Sequence, residues 1–342
     1  MFVLAAIGAF VVAMAPTIRS APAGAAVRAV PIAVPSQSGE VTNSWALTPS
    51  GDDPSQPGER SNLSYTLAPG ATIEDFVTLW NYGNVALTFD VYATDAVNND
   101  AGSFTLLETA EAAKDVGSWV KLGLSNITLP ASTSVRIPIT LTVPSDATPG
   151  DHAAGIVASS LTPQSDDAGN QVLLDRRVGT RLYLRVPGPV SPQLEVESIT
   201  TSYHSGLNPL EGTVDVEYRV RNSGNVRLGA RQEVSVSDLF GTVGTRRPER
   251  IEELLPGQSA VVRESFDGVA ATFRISTEVA LTPTAPSGGD VEAPAPFSRE
   301  QGGWAIPWTL LGIVALLLLA AVLFARARRR RQVSARRPVA VT

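Results

Sequence analysis

The 342-residue chain contains no cysteine. There is therefore no disulfide framework, no thiol nucleophile and no thiolate metal site. Histidine occurs twice, at His152 and His204, and neither has a second His or Cys at metal-ligand spacing. His152 follows Pro149-Gly150-Asp151 and reads as a turn side chain. No G-x-S-x-G elbow, P-loop or G-x-G-x-x-G is present. With no such constellation, the expectation is a protein that is not an enzyme and carries no cofactor and no metal. The oxygen-rich stretch Asp95, Asn98, Asn99, Asp100 and Gly102 lacks the EF-hand spacing for Ca²⁺ and reads as a solvated loop. Asp166-Asp167-Ala168-Gly169-Asn170 reads the same way, as a hairpin loop. Lysine is nearly absent: Lys114 and Lys121 stand among 27 basic residues. That bias, with the missing cysteine, points to a bacterium with a GC-rich genome. Amphipathic helices are absent as well, and aromatics make up only 6% of the chain.

Long apolar runs occur only at the two ends. Residues 304–325 carry no charge from Trp304 to Phe324, and about 20 apolar residues are what a helix needs to cross the hydrocarbon core. Arg326, Arg328, Arg329, Arg330 and Arg331 follow at once, with Arg336 and Arg337 beyond. An arginine cluster at one end of a span stays in the cytoplasm, and Trp304 and Trp308 suit the outer headgroup zone. The expected topology is a single-pass plasma-membrane protein, its ectodomain outside and residues 326–342 forming a cytoplasmic tail. Near the start, Phe2 to Ala15 is apolar but short, and Ala23-Gly24-Ala25 resembles a cleavage site. Residues 1–25 therefore read as a secretory signal peptide, the alternative being a retained N-terminal anchor. With tail and signal set aside, about −14 of net charge remains on residues 26–303, which argues against nucleic acid as a partner.

Between the ends the pattern alternates with period two. Val135, Ile137, Ile139, Leu141 and Val143 share one strand face, with Pro138 implying an edge position or a bulge. Val214, Val216, Tyr218 and Val220 share another. Phe273, Ile275, Val279 and Leu281 mark a third strand, and Leu182, Leu184 and Val186 a fourth. Leu106–Lys114 is rich in helix formers and is a candidate helical interruption. Asn81-Tyr82-Gly83-Asn84-Val85-Ala86-Leu87 is echoed by Asn222-Ser223-Gly224-Asn225-Val226-Arg227-Leu228, each followed by a Leu-Pro turn. Both are expected to be tight hairpins with Gly83 and Gly224 at positive φ. The fold class implied is all-β: two Ig-like β-sandwich domains in tandem, over 41–188 and 190–284, plus one C-terminal transmembrane helix. The Pro-rich joint Val186–Pro192 divides the domains. Residues 285–303, rich in Pro and Gly and without apolar periodicity, read as an extended stalk above the membrane.

Phe76-Val77-Thr78-Leu79-Trp80-Asn81-Tyr82 is apolar on both strand faces. One face must pack in a sandwich. The other offers Phe76, Trp80 and Tyr82 as a candidate stacking surface for a sugar or a partner, unless a loop or helix covers them.

Leu67-Ala68-Pro69-Gly70, the strand ending at Asn81, and Val143-Pro144-Ser145-Asp146-Ala147-Thr148-Pro149-Gly150-Asp151-His152 with Gly155-Ile156-Val157 resemble the DUF916 family. So does Arg177-Val178-Gly179-Thr180-Arg181-Leu182-Tyr183-Leu184-Arg185-Val186-Pro187-Gly188. The resemblance spans about residues 41–188. It implies the peptidoglycan-binding domain of WxL-interacting proteins, held in the cell wall of a Gram-positive bacterium. The functional expectation is a non-catalytic, membrane-anchored surface protein that binds peptidoglycan. The alternative is a structural or adhesive scaffold that binds another surface protein, WxL-type or otherwise.

Overall fold

The structure, a computed structural model, describes residues 30–31, 41–51, 58–108, 111–165, 171–206, 208, 211–286 and 291–334. The expected signal segment, the 166–170 loop and Arg336 and Arg337 lie outside these residues.

The first half contains β1 (Val30–Pro31), β2 (Trp45–Pro49), β3 (Leu63–Thr66), β4 (Thr72–Asn81), β5 (Leu87–Asn98) and β6 (Phe104–Leu106). A four-residue helix, α1 (Val116–Trp119), leads to β7 (Val120–Leu122), β8 (Asn126–Leu129), β9 (Thr133–Thr142), β10 (Gly150–Ser165) and β11 (Gln171–Val186). One sheet runs β1-β9-β4-β2, with β7 also on β9. The facing sheet runs β3-β11-β10-β5-β6, with β8 also on β5. Val77, Leu79, Val135, Ile137, Ile139 and Leu141 from the first sheet meet Phe89, Val91, Ile156, Leu182 and Leu184 from the second in one core. The alternation drives this: every second residue of each strand points inward, and burying a Val, Leu, Ile or Phe contributes about 1.5–3 kcal/mol. Pro138 pairs with Phe76 of β4 on one side, and on the other Gly123, just past β7, donates its N–H to Pro138 O at 2.9 Å, so β9 has chain on both sides at this proline.

The second half contains β12 (Leu194–His204), β13 (Gly212–Asn222), β14 (Leu228–Asp238), β15 (Gly241–Arg246), β16 (Ile251–Leu254), β17 (Ser259–Val269), β18 (Phe273–Thr284) and β19 (Phe297–Ala305), followed by α2 (Trp308–Ser334). Its sheets run β12-β13-β17 and β15-β14-β18-β19, with β16 also on β14. They enclose a separate core that includes Val214, Val216, Tyr218, Val220, Val236, Phe266, Val279 and Leu281. The fold is thus all-β, two Ig-like sandwiches in tandem, with the two cores parting between Val186 and Leu194.

Three expectations change. Leu106–Lys114 is not a helix among its described residues: β6 ends at Leu106, and the only helix nearby is α1. The segment's helix-forming composition loses to docking, because Asp95 accepts the backbone N–H groups of Lys114, Asp115 and Gly117 at 2.6–2.8 Å. The stalk is not extended. Val291 inserts into the second core, and Phe297–Ala305 pairs with β18 as an edge strand. An edge strand needs backbone bonding on one side only, so side-chain periodicity does not announce it. The second domain therefore continues to Ala305, Trp304 lies in β19, and the apolar C-terminal helix begins at Trp308.

The third change concerns the echoed hairpins. Asn81 and Asn222 are both fully buried. Each side-chain amide donates to a carbonyl four residues on, Val85 and Val226, at 2.8 Å. Each also reaches across to the Leu-Pro turn, at Leu129 O (3.1 Å) and Leu254 O (2.8 Å). Each Oδ1 accepts the N–H of Gly83 or Gly224 at 3.0 Å. Neither glycine has a positive φ. The requirement is space: a Cβ on Gly83 would lie 2.3 Å from Thr42 O, and one on Gly224 2.1 Å from Ser191 O. Gly83→Ala and Gly224→Ala are each expected to lower stability by roughly 1–3 kcal/mol, the usual range for overpacking. Thermal unfolding followed by circular dichroism checks this; an unchanged melt for either variant would contradict the close-approach account.

Candidate functional site

Of the aromatic residues expected to form a surface, Phe76, Trp80 and Tyr82, Trp80 is buried, only 1% exposed. β4 is an interior strand between β9 and β2, the Trp80 indole N–H donates to Thr48 Oγ1 at 3.1 Å, and Tyr82 stacks on the ring at 5.9 Å, nearly parallel. Arg136 lies over Phe76, 4.0 Å from its ring centre. Trp80 therefore stabilises the sheet, while Phe76 and Tyr82 are half-buried.

The oxygen-rich stretch is likewise structural. Besides the Asp95 clamp, Asn98 donates to Glu253 O at 2.7 Å and accepts Leu255 N–H at 2.8 Å, tying the end of β5 to the second domain. No group of three or more acidic or histidine residues suited to a metal ion occurs among the described residues.

Sequence reading placed the Pro-rich joint at Val186–Pro192 but missed the buried charge packed beside it. The Asp151 side chain is 2% exposed. Its carboxylate accepts bonds from the Arg185 guanidinium on the paired strand, Nη2 at 2.8 Å, and from the backbone N–H of Arg227 in the second domain at 2.9 Å. The Arg227 guanidinium bonds Glu253 Oε1 at 2.7 Å and lies over the Tyr183 ring at 3.8 Å. Tyr183 in turn donates its hydroxyl to Glu253 Oε2 at 2.7 Å. Burial alone would raise the Asp151 pKa; the Arg185 bond and the Arg227 contacts outweigh it and hold it below the usual carboxylate range. Backbone joins in: Asp151 N–H donates to Asn225 O at 2.8 Å, and Asn225 Nδ2 donates to Pro149 O and Pro189 O at 2.9 Å. A small apolar cluster of Ala153, Tyr183 and Leu255, with Ala96 and Phe104 against it, seals the contact. The one sequence signal was the Arg227 departure from the first copy of the repeat, where Ala86 stands.

Beside the joint a cavity of about 300 Å³ is lined by Asp95, Asp115, Asp151, His152 and Asn225, among others. His152 Nδ1 lies 2.7 and 2.8 Å from the two Asp115 oxygens, and Nε2 lies 2.9 Å from Thr148 O. A carboxylate and a carbonyl both accept, so this arrangement favours the ring with a proton on each nitrogen. Burial opposes that charge, but the Asp115 bond prevails and the His152 pKa is raised.

Two further features stand on the surface of the first domain. β10 and β11 pair without a break from Gly150↔Val186 to Ser165↔Gln171. Beyond Ser159 and before Leu182 neither has a third strand beside it among the described residues. The far end is thus a two-stranded ribbon, with Leu161, Leu173 and Leu174 exposed. Leu161 and Leu173 share its outer face by register. On the outer face of the sheet, a groove of about 330 Å³ is lined by Arg177, Arg181, Phe104 and Leu106. Its floor needs Gly155, whose Cβ would meet Leu106 at 2.6 Å.

Of the topology residues, Trp304 and Trp308 are exposed. Trp308–Arg329, 22 residues containing an 18-residue window of mean hydropathy 2.6, is apolar and long enough to cross a membrane. Arg326, Arg328 and Arg329 are exposed on α2, and Arg330 and Arg331 continue the same helix.

No protein-family model matches the chain, and no curated protein matches it. Solved structures similar to it include the chaperone–tip adhesin complex of CFA/I fimbriae, at 11% identity and TM-score 0.35, covering 75% of this chain and 98% of that one. The class 5 fimbriae chaperone CfaA is similar at 13% identity and TM-score 0.32, covering 70% and 96%. The Salmonella enterica SafA pilin in complex with the SafB chaperone matches at 11% identity and TM-score 0.32, covering 75% and 96%. At these scores the likeness is one of general β architecture and goes no finer.

Two outcomes follow from the joint. Arg227→Met keeps the backbone donor to Asp151 but removes the guanidinium from Glu253 Oε1, from the Tyr183 ring and from beside Asp151 Oδ2 (3.4 Å), and should cost about 2–4 kcal/mol, as for other disrupted charge-assisted contacts. It should also open the 186–192 segment to limited proteolysis; a variant as resistant as the parent would contradict the locking role. For His152 the folded pKa is above its ordinary 6.5, so its charge stabilises the fold below that pH, and the contribution is lost as pH rises through the raised value. As pH rises from 6.5 through the raised pKa, melting temperature should decline in the parent and decline less in His152→Gln.

Proposed function

We propose that this chain is a non-catalytic, single-pass membrane protein whose ectodomain binds another extracytoplasmic protein by strand addition on the β10–β11 ribbon. The exposed ribbon is the observation that carries the reading. The far ends of two long strands run past Ser160 and Arg176 with no third strand paired to them among the described residues and with exposed leucines, and such an end is a template for a partner's strand. A glycan offers no backbone to pair, and Trp80, the largest ring that would have stacked on sugar, is buried. The helix Trp308–Arg329 and the arginines after it support an outside ectodomain with a cytoplasmic tail.

Peptidoglycan binding is the second reading, and with it membership of the DUF916 family and a place in the wall of a Gram-positive bacterium. The motifs between Leu67 and Gly188 support it. The groove with Arg177 and Arg181 adds two cations suited to the carboxylates of wall stem peptides. A WxL-type protein as the partner joins the two readings.

Full-length protein carrying benzoylphenylalanine at position 173 should cross-link on cells to a protease-sensitive partner. Leu161→Asp, on the same outer face as the cross-linker, should abolish the adduct without altering the circular dichroism spectrum. A protease-resistant, lysozyme-sensitive adduct, with undiminished sedimentation of the leucine variant on purified sacculi, would move the assignment to the wall.

A further inference from the structure

The end of the second domain opposite the joint carries exposed apolar side chains in a fixed array. β14 and β15 are joined by a tight turn in which Asp238 Oδ1 accepts the N–H groups of Phe240 (2.7 Å) and Gly241 (3.1 Å), with Gly241 at φ 133°. The turn turns its two central side chains outward: Leu239 is 77% and Phe240 85% exposed. Such exposure of adjacent large apolar residues is costly in water unless something receives them.

Register places this tip beside the membrane helix. Ser237 pairs with Ser276, and Ser276 pairs with Gly302. On β18 and β19 the ladder continues through Arg274↔Trp304 to Phe273↔Ala305. Two or three residues past Ser237, the tip therefore stands level with Trp304 and Ala305. It is two strands away, about 10 Å at ordinary strand spacing. α2 starts at Trp308, so only Ile306 and Pro307 separate the sheet from the span. Two residues reach at most about 7 Å. The surface of the bilayer that α2 crosses must then lie against this end of the domain.

Phe273 completes the array. Its strand pattern predicts an inward side chain, yet it is half-exposed with φ 70°, in the left-handed region that a bulky aromatic residue avoids. A strained backbone that displays a ring toward the same level as Leu239, Phe240, Trp304 and Trp308 is not explained by packing within the domain. Aromatic and aliphatic side chains at one height beside a span are suited to the headgroup zone.

We propose that the Leu239–Phe240 tip, with Phe273 and Trp304, inserts into the interfacial layer of the bilayer crossed by α2 and seats the second domain directly on the lipid surface. The inference rests on the reading of α2 as a membrane span. The occupant is lipid, and a second protein surface is the competing outcome.

The chain lacks cysteine, so single cysteines carrying a nitroxide report position in the full-length protein. Labels are placed at Leu239, Phe240, Glu74 and Ile313, one per sample, in vesicles of phosphatidylcholine with phosphatidylglycerol. The tip positions are exposed turn residues, so labelling them leaves the core intact. The expected result is a several-fold higher ratio of oxygen to nickel-chelate accessibility at 239 and 240 than at Glu74, with Ile313 higher still. If 239 and 240 match Glu74 while Ile313 is in lipid, the seating is overturned and the span stands. If 239 and 240 are shielded from both oxygen and nickel, a protein covers the tip and the proposal is equally overturned. An Ile313 label in water would remove the span and the seating together.

Discussion

A buried carboxylate at the junction of two sandwiches sets the shape of this molecule. Asp151 is almost fully enclosed, and one of its acceptor sites is filled by a backbone N–H from the other domain. An uncompensated charge in such a place is expensive. Any rotation that separates the domains would leave Asp151 short of the Arg227 backbone N–H and Glu253 short of the Tyr183 hydroxyl. The surrounding contacts repeat the constraint in backbone: Gly150, at φ 132°, brings the start of β10 so close to Asn225 O that a Cβ there would lie 2.2 Å away. The Pro-rich segment between the domains is thus short for a reason, since the angle it spans is already determined by charge and close packing.

The joint was made from a repeated part. In the first domain Asn84 Oδ1 accepts Thr42 N–H, closing the entry strand; in the second, Asn225 Oδ1 accepts Ser191 N–H in the same way. The second copy has an additional use. Its Asn225 amide group reaches Pro149 and Pro189, and Arg227, where the first copy has Ala86, gives a backbone donor to Asp151 and lays its guanidinium over Tyr183 of the neighbouring domain. One motif therefore closes each sandwich, and its variation joins the two.

Much of the architecture was legible in the sequence because half-buried strands carry their own record. Val135 to Val143 and Val214 to Val220 alternate, and those residues are the core. β19 left no such record, because only its backbone is engaged along most of its length. The Asn81 and Asn222 repeat marked a shared local device correctly, although glycine there answers to a facing carbonyl rather than to backbone twist. Trp80 misled for a related reason: a strand apolar on both faces is equally what an interior strand under a second layer looks like, and composition does not distinguish the two. The charged joint was hidden because Asp151, Arg185, Arg227 and Glu253 are scattered through the chain and meet only after both domains have folded.

The way the chain leaves the last sheet bears on how the protein carries a load. β19 runs toward α2 and is paired to β18 over nine residues, from Leu281↔Phe297 to Phe273↔Ala305. Tension between a ligand at the far end of the first domain and an anchor at α2 would pull β19 along its own axis. The ladder between β18 and β19 then bears that force in shear, with its hydrogen bonds sharing it at once, rather than opening one after another as a zipper does. A flexible tether in the same place would first have to be drawn taut. Here a tug at one end is felt at the other without slack.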